Sequence, residues 1–412
     1  MSKEKYIVTG MGVACPLGNN TEEYFGKIIN GHSGISLIDC YDSSDQKIKY
    51  AGIVRDIEFS DYMTKTTLRR SGRATKLTIV SSRQAYEDAN LDRLKKDSVA
   101  IIVASSMAET VKMLNYYDLL NKKGARRASP FFSLFTNDLM AGYAAIELGI
   151  KGINYGVSCS CASGNIAIIN AISILKLFEN IDAVIVCGTD AMINKEILEA
   201  LYQTNMLANQ DQIPPEKIMR PYDKLAQGIV VSEGSGAIVI ERENTGATAP
   251  NQYVEICSYA CNSDAFSMTL EAEDINCKVN LVNQALNLAE IEYNKIDYIN
   301  GYGLSLNHVD LNELNLIKEC FCQNGNEVLV SSTKSMLGHL FGASALLEVI
   351  SVIMSINSSI IIPNINMVEP IVDYEGIHIA KKSIEKEIRY ALKLSYASGN
   401  RNTALIFKNI SN

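Results

Sequence analysis

Histidine is scarce in this chain, with four residues in 412, spread along its length. A zinc centre would therefore have to rely on cysteine. The ten cysteines do not offer one. The pairs Cys159/Cys161 and Cys320/Cys322 are spaced C-x-C rather than C-x-x-C, which argues against both a zinc knuckle and a dithiol redox motif. Most of the remaining cysteines fall inside apolar patterns and read as small buried hydrophobes of a reducing compartment. No run of Lys and Arg is long enough to form a nucleic-acid patch, and the formal net charge of −8 repels phosphate backbones. No stretch of 18 consecutive apolar residues occurs, so no membrane span is expected. The start, MSKEKYIVTGMG, has neither an apolar h-region nor a small-residue cleavage site. A cytoplasmic protein without a signal peptide is expected.

What is present is ordinary globular composition, 47% hydrophobic and 20% charged, over a length that suggests two domain-sized halves. Strand-like runs alternate with helical patterns. The strands are read at Lys5 to Thr9, Val99 to Ala104, Asn154 to Cys159, Ala183 to Cys187 and Gly236 to Glu241. After the turn-rich stretch from Arg242 to Asn251 they resume at Val254 to Tyr259, Ile296 to Asn300, Val328 to Ser332, Ala391 to Tyr396 and Thr403 to Lys408. Helices are expected at Asn137 to Leu148, Ala162 to Phe178, Lys278 to Leu288 and His339 to about Ile356. The pattern predicts an α/β fold with largely buried sheets. It divides into an N-terminal half, 1–245, and a C-terminal half, 252–412. Each half has a strand–turn–helix element in its middle, which suggests a duplicated fold.

Two strings carry chemistry. In Ser158-Cys159-Ser160-Cys161-Ala162-Ser163-Gly164 a strand stops, small residues turn, and a helix opens at Cys161. Free N–H groups and the helix dipole there favour a thiolate, and small neighbours leave room for a thioester. A buried core cysteine would look the same. In Ser331-Ser332-Thr333-Lys334-Ser335-Met336-Leu337-Gly338-His339-Leu340 a histidine meets a helix start, with Lys334 upstream and Glu348 nine residues beyond His339. Such a histidine can donate to a developing enolate oxygen while a buried Lys–Glu pair holds the loop. It can equally be structural. Two further strings, Tyr298 to Ser305 and Arg220-Pro221-Tyr222-Asp223 with Ser232 to Gly236, read as turns that support strands.

Together these strings resemble the condensing-enzyme family of β-ketoacyl-acyl carrier protein synthases. The resemblance covers nearly the whole chain: VTGMGVACPLGNN (Val8 to Asn20), GHSGI (Gly31 to Ile35), SCSCASG, RPYD…SEGSG, SSTKSMLGHLFGAS and IIPNIN (Ile361 to Asn366) occur in order. It implies a thiolase-like fold, two similar halves in α-β-α-β-α layers, and a Cys-His-His site. The nucleophile falls on Cys161, the second histidine on His339, and the supporting Lys and Glu on Lys334 and Glu348. Three departures follow. The first histidine is Tyr302, in Asn300-Gly301-Tyr302-Gly303-Leu304, and His308 is not expected to reach the same spot. The gating loop reads Ala397-Ser398-Gly399-Asn400-Arg401-Asn402, so Ser398 stands where the family has Phe and Gly399 follows it. Ala226-Gln227-Gly228 replaces Arg-Asp-Gly. A Tyr hydroxyl donates less acidically than an imidazolium, and the longer ring would crowd a histidine pocket.

Within the resemblance, the lost histidine and gate fit a chain length factor, the degenerate partner of a catalytic ketosynthase. The alternative is a self-sufficient ketosynthase with a Cys-Tyr-His site. Either would dimerise, with a paralogue or with itself, through the sheet edge near Cys161. Either would need no metal or organic cofactor, the phosphopantetheine arriving on an acyl carrier protein. That acidic partner would need a basic patch. Candidates are Lys65, Arg69, Arg70, Arg73 and Lys76, or Lys122, Lys123, Arg126 and Arg127; both also read as solvated helix faces.

Overall fold

The computed structural model describes residues 4–124, 136, 138–209, 212–243 and 249–410. Eleven strands form one sheet. The first five are β1 (Tyr6–Ala14), β2 (Val99–Ala104), β3 (Asn154–Val157), β4 (Ala183–Asp190) and β5 (Gly234–Arg242). The others are β6 (Val254–Ser263), β7 (Tyr298–Asn300), β8 (Val328–Ser331), β9 (Ile377–Ile379), β10 (Tyr390–Ala397) and β11 (Arg401–Asn409). Their order is β9-β8-β7-β10-β11-β6-β1-β5-β4-β2-β3.

Duplication is visible in that order. The first half reads β3-β2-β4-β5-β1 and the second β8-β7-β10-β11-β6, the same arrangement, with β9 added at one edge. In each half the fifth strand runs antiparallel to both neighbours, while the three farthest from the junction, β3-β2-β4 and β8-β7-β10, are parallel. Within the sheet the half-sheets join where β1 meets β6, at the pairs Ile7↔Glu255 and Val8↔Val254.

Helices fill three layers. α1 (Arg73–Asp88) and α2 (Leu139–Leu148) cover the outer face of the first half-sheet. α3 (Ser163–Leu177) and α6 (Ser344–Ser358) pack on each other between the two half-sheets. α4 (Asn276–Ala289) and α5 (Asn307–Phe321) cover the outer face of the second. Sheets covered on both faces need strands without a polar side, and β2 and β4 are buried at every residue. The middle helices are apolar nearly all round. The 18-residue windows Ser160–Leu177 and Phe341–Ser358 reach the hydropathy of a membrane span, yet 61% and 78% of them are buried inside the protein.

The structure corrects two sequence readings. β1 does not stop at Thr9; it runs on through Gly10 and Gly12. Those glycines admit α1, because a Cβ at Gly12 would lie 2.1 Å from the Ser81 carbonyl oxygen. The helix expected from His339 begins only at Ser344, after a short helix at Lys334–Leu337 and a 3₁₀ turn at Phe341–Ala343. Phe341 takes φ +49°, which no α-helix accommodates, and the Ser344 hydroxyl caps the Leu340 N–H at 2.8 Å. The α2 pattern begins at Leu139, and residue 137 lies outside the described residues.

Candidate active site

Cys161 sits between β3 and α3 on a strained elbow. Ser160, just before it, adopts φ +51°, a left-handed conformation costly for a non-glycine residue. Ser163 holds the turn: its hydroxyl accepts from the Cys159 N–H at 2.8 Å and donates to the Ser160 carbonyl at 2.6 Å. Burial pushes the Cys161 thiol above its ordinary pKa, against the opposing pull of the Tyr302 and Ser160 hydroxyls and the Lys334 ammonium. The thiolate expected from the helix start is therefore not the resting form. Desolvation outweighs the dipole.

Tyr302 follows β7 on a loop braced from every side. Glu313 on α5 accepts from the N–H groups of Tyr302 and Gly303 at 2.7 and 2.8 Å. Asp310, also on α5, accepts from Leu304 at 2.6 Å. Tyr222 of the RPYD turn donates its hydroxyl to Glu313 and its N–H to Asp310, both at 2.8 Å. Lys334 donates to the Tyr302 carbonyl at 2.6 Å and lies 4.3 Å from the centre of its ring. Gly303, at φ +35°, leaves no room for a side chain, since a Cβ would lie 2.5 Å from that of Ser332. The ring fits its pocket without crowding, standing edge-on 6.3 Å from His339 and 5.4 Å from Tyr396. Its hydroxyl favours the ionised form of the Cys161 sulfur. Burial and that sulfur hold the phenol well above its usual pKa, so it keeps its proton.

His339 is fixed by its backbone, donating to Val230 at 2.8 Å and accepting from Ser232 at 2.9 Å. Its Nδ1 accepts from the Phe341 N–H at 3.0 Å. Burial, then the nearby Lys334 charge, lowers its pKa to about 3. The ring is neutral, and with Nδ1 occupied as acceptor its proton is on Nε2. The following loop is anchored by Asp190 at the end of β4, whose carboxylate accepts from Gly342 at 2.6 Å and from the N–H groups of Ser106 and Met107.

Glu348 on α6 is buried between two ammonium groups, Lys334 at 2.5 Å and Lys393 at 2.8 Å. The sequence reading paired it with Lys334 alone. Lys393, wholly buried on β10, was missed; its pKa falls to about 8 because burial outweighs its attraction to Glu348.

Cys161, Tyr302 and His339 line one cavity of about 580 Å³. Ser398 lines it too and is exposed, while Gly399 donates its N–H to Met268 at 3.0 Å. His308 also borders this cavity, as an exposed residue in the first turn of α5. The site thus gathers a neutral thiol, a protonated phenol and a neutral imidazole with Nε2–H free to donate. That set is suited to acyl transfer through a thioester, with donors for the carbonyl oxygen.

A twice-repeated α/β unit with a thiol on the elbow of one half and an imidazole from the other defines a thiolase-like protein. The family model described as "Beta-ketoacyl synthase, N-terminal domain" matches residues 3–246, and "Beta-ketoacyl synthase, C-terminal domain" matches 253–368. The chain belongs to the β-ketoacyl synthase family. It is 32% identical to 3-oxoacyl-[acyl-carrier-protein] synthase 2 of Staphylococcus aureus (strain COL) over 99% of each chain. Among solved structures it resembles the ishigamide ketosynthase/chain length factor, with a TM-score of 0.88 at 24% identity over 100% of both chains. It also resembles a type II polyketide acyl-carrier protein complex with its ketosynthase bound to the hexaketide, with a TM-score of 0.86 at 22% identity over 99% of this chain and 100% of that one.

Proposed function

We propose that this chain is a β-ketoacyl synthase-type subunit of carrier-protein-bound fatty acid or polyketide elongation, acting as the chain-length-factor-type partner of a catalytic ketosynthase. The carrying observation is that a tyrosine, Tyr302, stands beside Cys161 and His339 in the shared cavity and keeps its proton. Loading remains open to such a site. The Cys161 sulfur attacks an acyl-pantetheine carbonyl, the old C–S bond breaks, and the thiol proton passes to the departing sulfur. Extension asks for more. The malonyl C–C bond breaks, CO₂ leaves, and the electron pair becomes an enolate whose oxygen needs donors before its carbon attacks acyl-Cys161 and expels the sulfur. Here a phenol, a weaker donor than an imidazolium, stands beside His339, and outright loss of one donor of such a pair costs about 10²–10³ in rate.

A second reading, a self-sufficient Cys-Tyr-His ketosynthase, is supported by the shared cavity that keeps all three groups together. Purification alone and with a co-expressed paralogue separates the two. The first reading expects a heterodimer that extends malonyl-carrier protein and a lone chain that loads without extending. A stable homodimer with full condensing activity would overturn it.

The remaining proposals follow from the same reading. Acyl carrier protein docks on the exposed Lys65, Arg69 and Arg70. In that patch Arg73 is engaged by Glu233 at 2.6 Å, and Lys76 lies over the Phe59 ring. In the other candidate patch Lys122 pairs with Asp118 at 2.7 Å, and Arg126 and Arg127 lie outside the described residues. Dimerisation uses the edge strand β3. The protein works in the cytoplasm with no metal or organic cofactor of its own. Its halves, 1–245 and 252–412, act as one unit.

A further inference from the structure

Lys393 reaches from β10 toward α6 and is wholly buried. For packing alone, an apolar residue of similar volume would serve at least as well as an ammonium. Its contacts point elsewhere. Each oxygen of the Glu348 carboxylate meets a different cation: Oε1 meets Lys334 at 2.5 Å, and Oε2 meets Lys393 at 2.8 Å. Lys393 also donates to the Leu394 carbonyl, so its ammonium is held at two points. It thereby fixes the carboxylate and leaves Oε1 to Lys334. Lys334 in turn donates to the Tyr302 carbonyl at 2.6 Å, and its charge favours the thiolate of Cys161. A line of charged contacts thus runs from β10 to the thiol site.

Glu348 cancels one of these two positive charges. Glu313 faces Lys393 from α5, but its oxygens are engaged by the Tyr302 and Gly303 N–H groups and the Tyr222 hydroxyl. We propose that Lys393 is a positioning residue of the thiol site: protonated, it holds Glu348 and Lys334 in place against Tyr302, and on losing its proton it withdraws one positive charge from the surroundings of Cys161. The proposal goes beyond the assigned function and shares with it the need for a reactive Cys161. Lys393 loses that proton at about 8. The tyrosines that face Glu348 stay protonated there: burial holds Tyr298 up to about 12, and Tyr24 and Tyr302 well above their usual value. Asp310 on α5, under the Tyr302 loop, is raised by burial to about 7 and is the competing source of a pH effect.

The test is the rate of iodoacetamide alkylation at Cys161 in the full chain from pH 6 to 10, read by peptide mass spectrometry. In the unaltered protein the rate should climb with pH, flatten near 8, and climb again on a line about tenfold lower, the low end for loss of one nearby charge. Lys393→Met should react about tenfold more slowly than the unaltered protein at pH 7, meet it by pH 9, and show no flattening. A merely structural role would give equal rates, or one offset at every pH, and either overturns the proposal. A break that persists in Lys393→Met belongs to Asp310 and overturns it too. Should the variant not fold, nitrogen-15 spectra of the lysine ammonium groups decide on the unaltered protein: one lysine must titrate at the pH of the break, and a mismatch refutes the assignment. If Cys161 reacts along a single unbroken climb, this proposal alone falls. If it does not react at any pH, the thiol reading falls with it.

Discussion

Replacing Tyr302 by Phe removes one hydroxyl and leaves a ring of the same shape. That hydroxyl favours the ionised form of the Cys161 sulfur. A hydrogen bond to a charged group contributes about 1.5–3 kcal/mol. At 1.36 kcal/mol per unit, its loss should raise the thiol pKa by about 1–2 units. At any pH below that pKa, the thiolate fraction then falls by about ten- to a hundredfold. The assay is the rate of iodoacetamide alkylation at Cys161 between pH 7 and 10, read by peptide mass spectrometry. The exposed Cys40 and Cys261 serve as internal controls. The Cys161 profile should move to higher pH in Tyr302→Phe while the controls stay in place. An unmoved Cys161 profile, or one that moves together with Cys40, refutes the assigned influence of Tyr302 on the thiol and the argument built on it.

Three other outcomes are expected. Glu348→Leu leaves two buried ammonium groups without their shared carboxylate and should destabilise the fold by about 3–5 kcal/mol, read by denaturant unfolding. Lys393 titrates near 8 in the folded chain and at 10.5 ordinarily, so between those values the unfolded chain binds more protons. Its contribution to stability is present above 10.5 and is lost as pH falls through 8, at about 1.4 kcal/mol per unit. Unfolding free energies of the unaltered protein and Lys393→Met should therefore differ in slope between pH 8 and 10, and parallel curves would contradict the assignment. Gly303→Ala places a Cβ against Ser332 at a positive φ. It should cost about 1–3 kcal/mol and slow Cys161 acylation by displacing Tyr302, measurable by thermal melting and intact-protein mass.

The elbow at Cys161 was legible because its cause is local: small residues between a strand pattern and a helix pattern. The fold was legible for a related reason, since buried parallel strands appear as unbroken apolar runs such as VAIIVA. The position of His339 on a helix was misread because apolar residues continue from Leu340 into α6, and periodicity does not reveal a 3₁₀ turn held by a distant carboxylate, Asp190. Lys393 was missed for the same physical reason. In ALKLSYA a lone lysine reads as the solvent side of a strand, and its partner Glu348 is on another element. The protonation of Cys161 was misjudged because the sequence shows the helix start but not the depth of burial. The fit of Tyr302 depended on braces from Glu313, Tyr222 and Lys334 that come together only after folding.

The β1–β6 junction has a consequence for engineering. Within the sheet two residue pairs are a thin seam, while α3 and α6, one from each side, share a broad apolar face. Adhesion between the duplicates thus resides largely in the helices that follow the turns presenting the sulfur and the imidazole. A chain severed between β5 and β6 and mixed as fragments should see its Cys161 thiol grow less reactive in step with reassociation, as burial raises its pKa. Thiol labelling would then report docking of the two pieces directly.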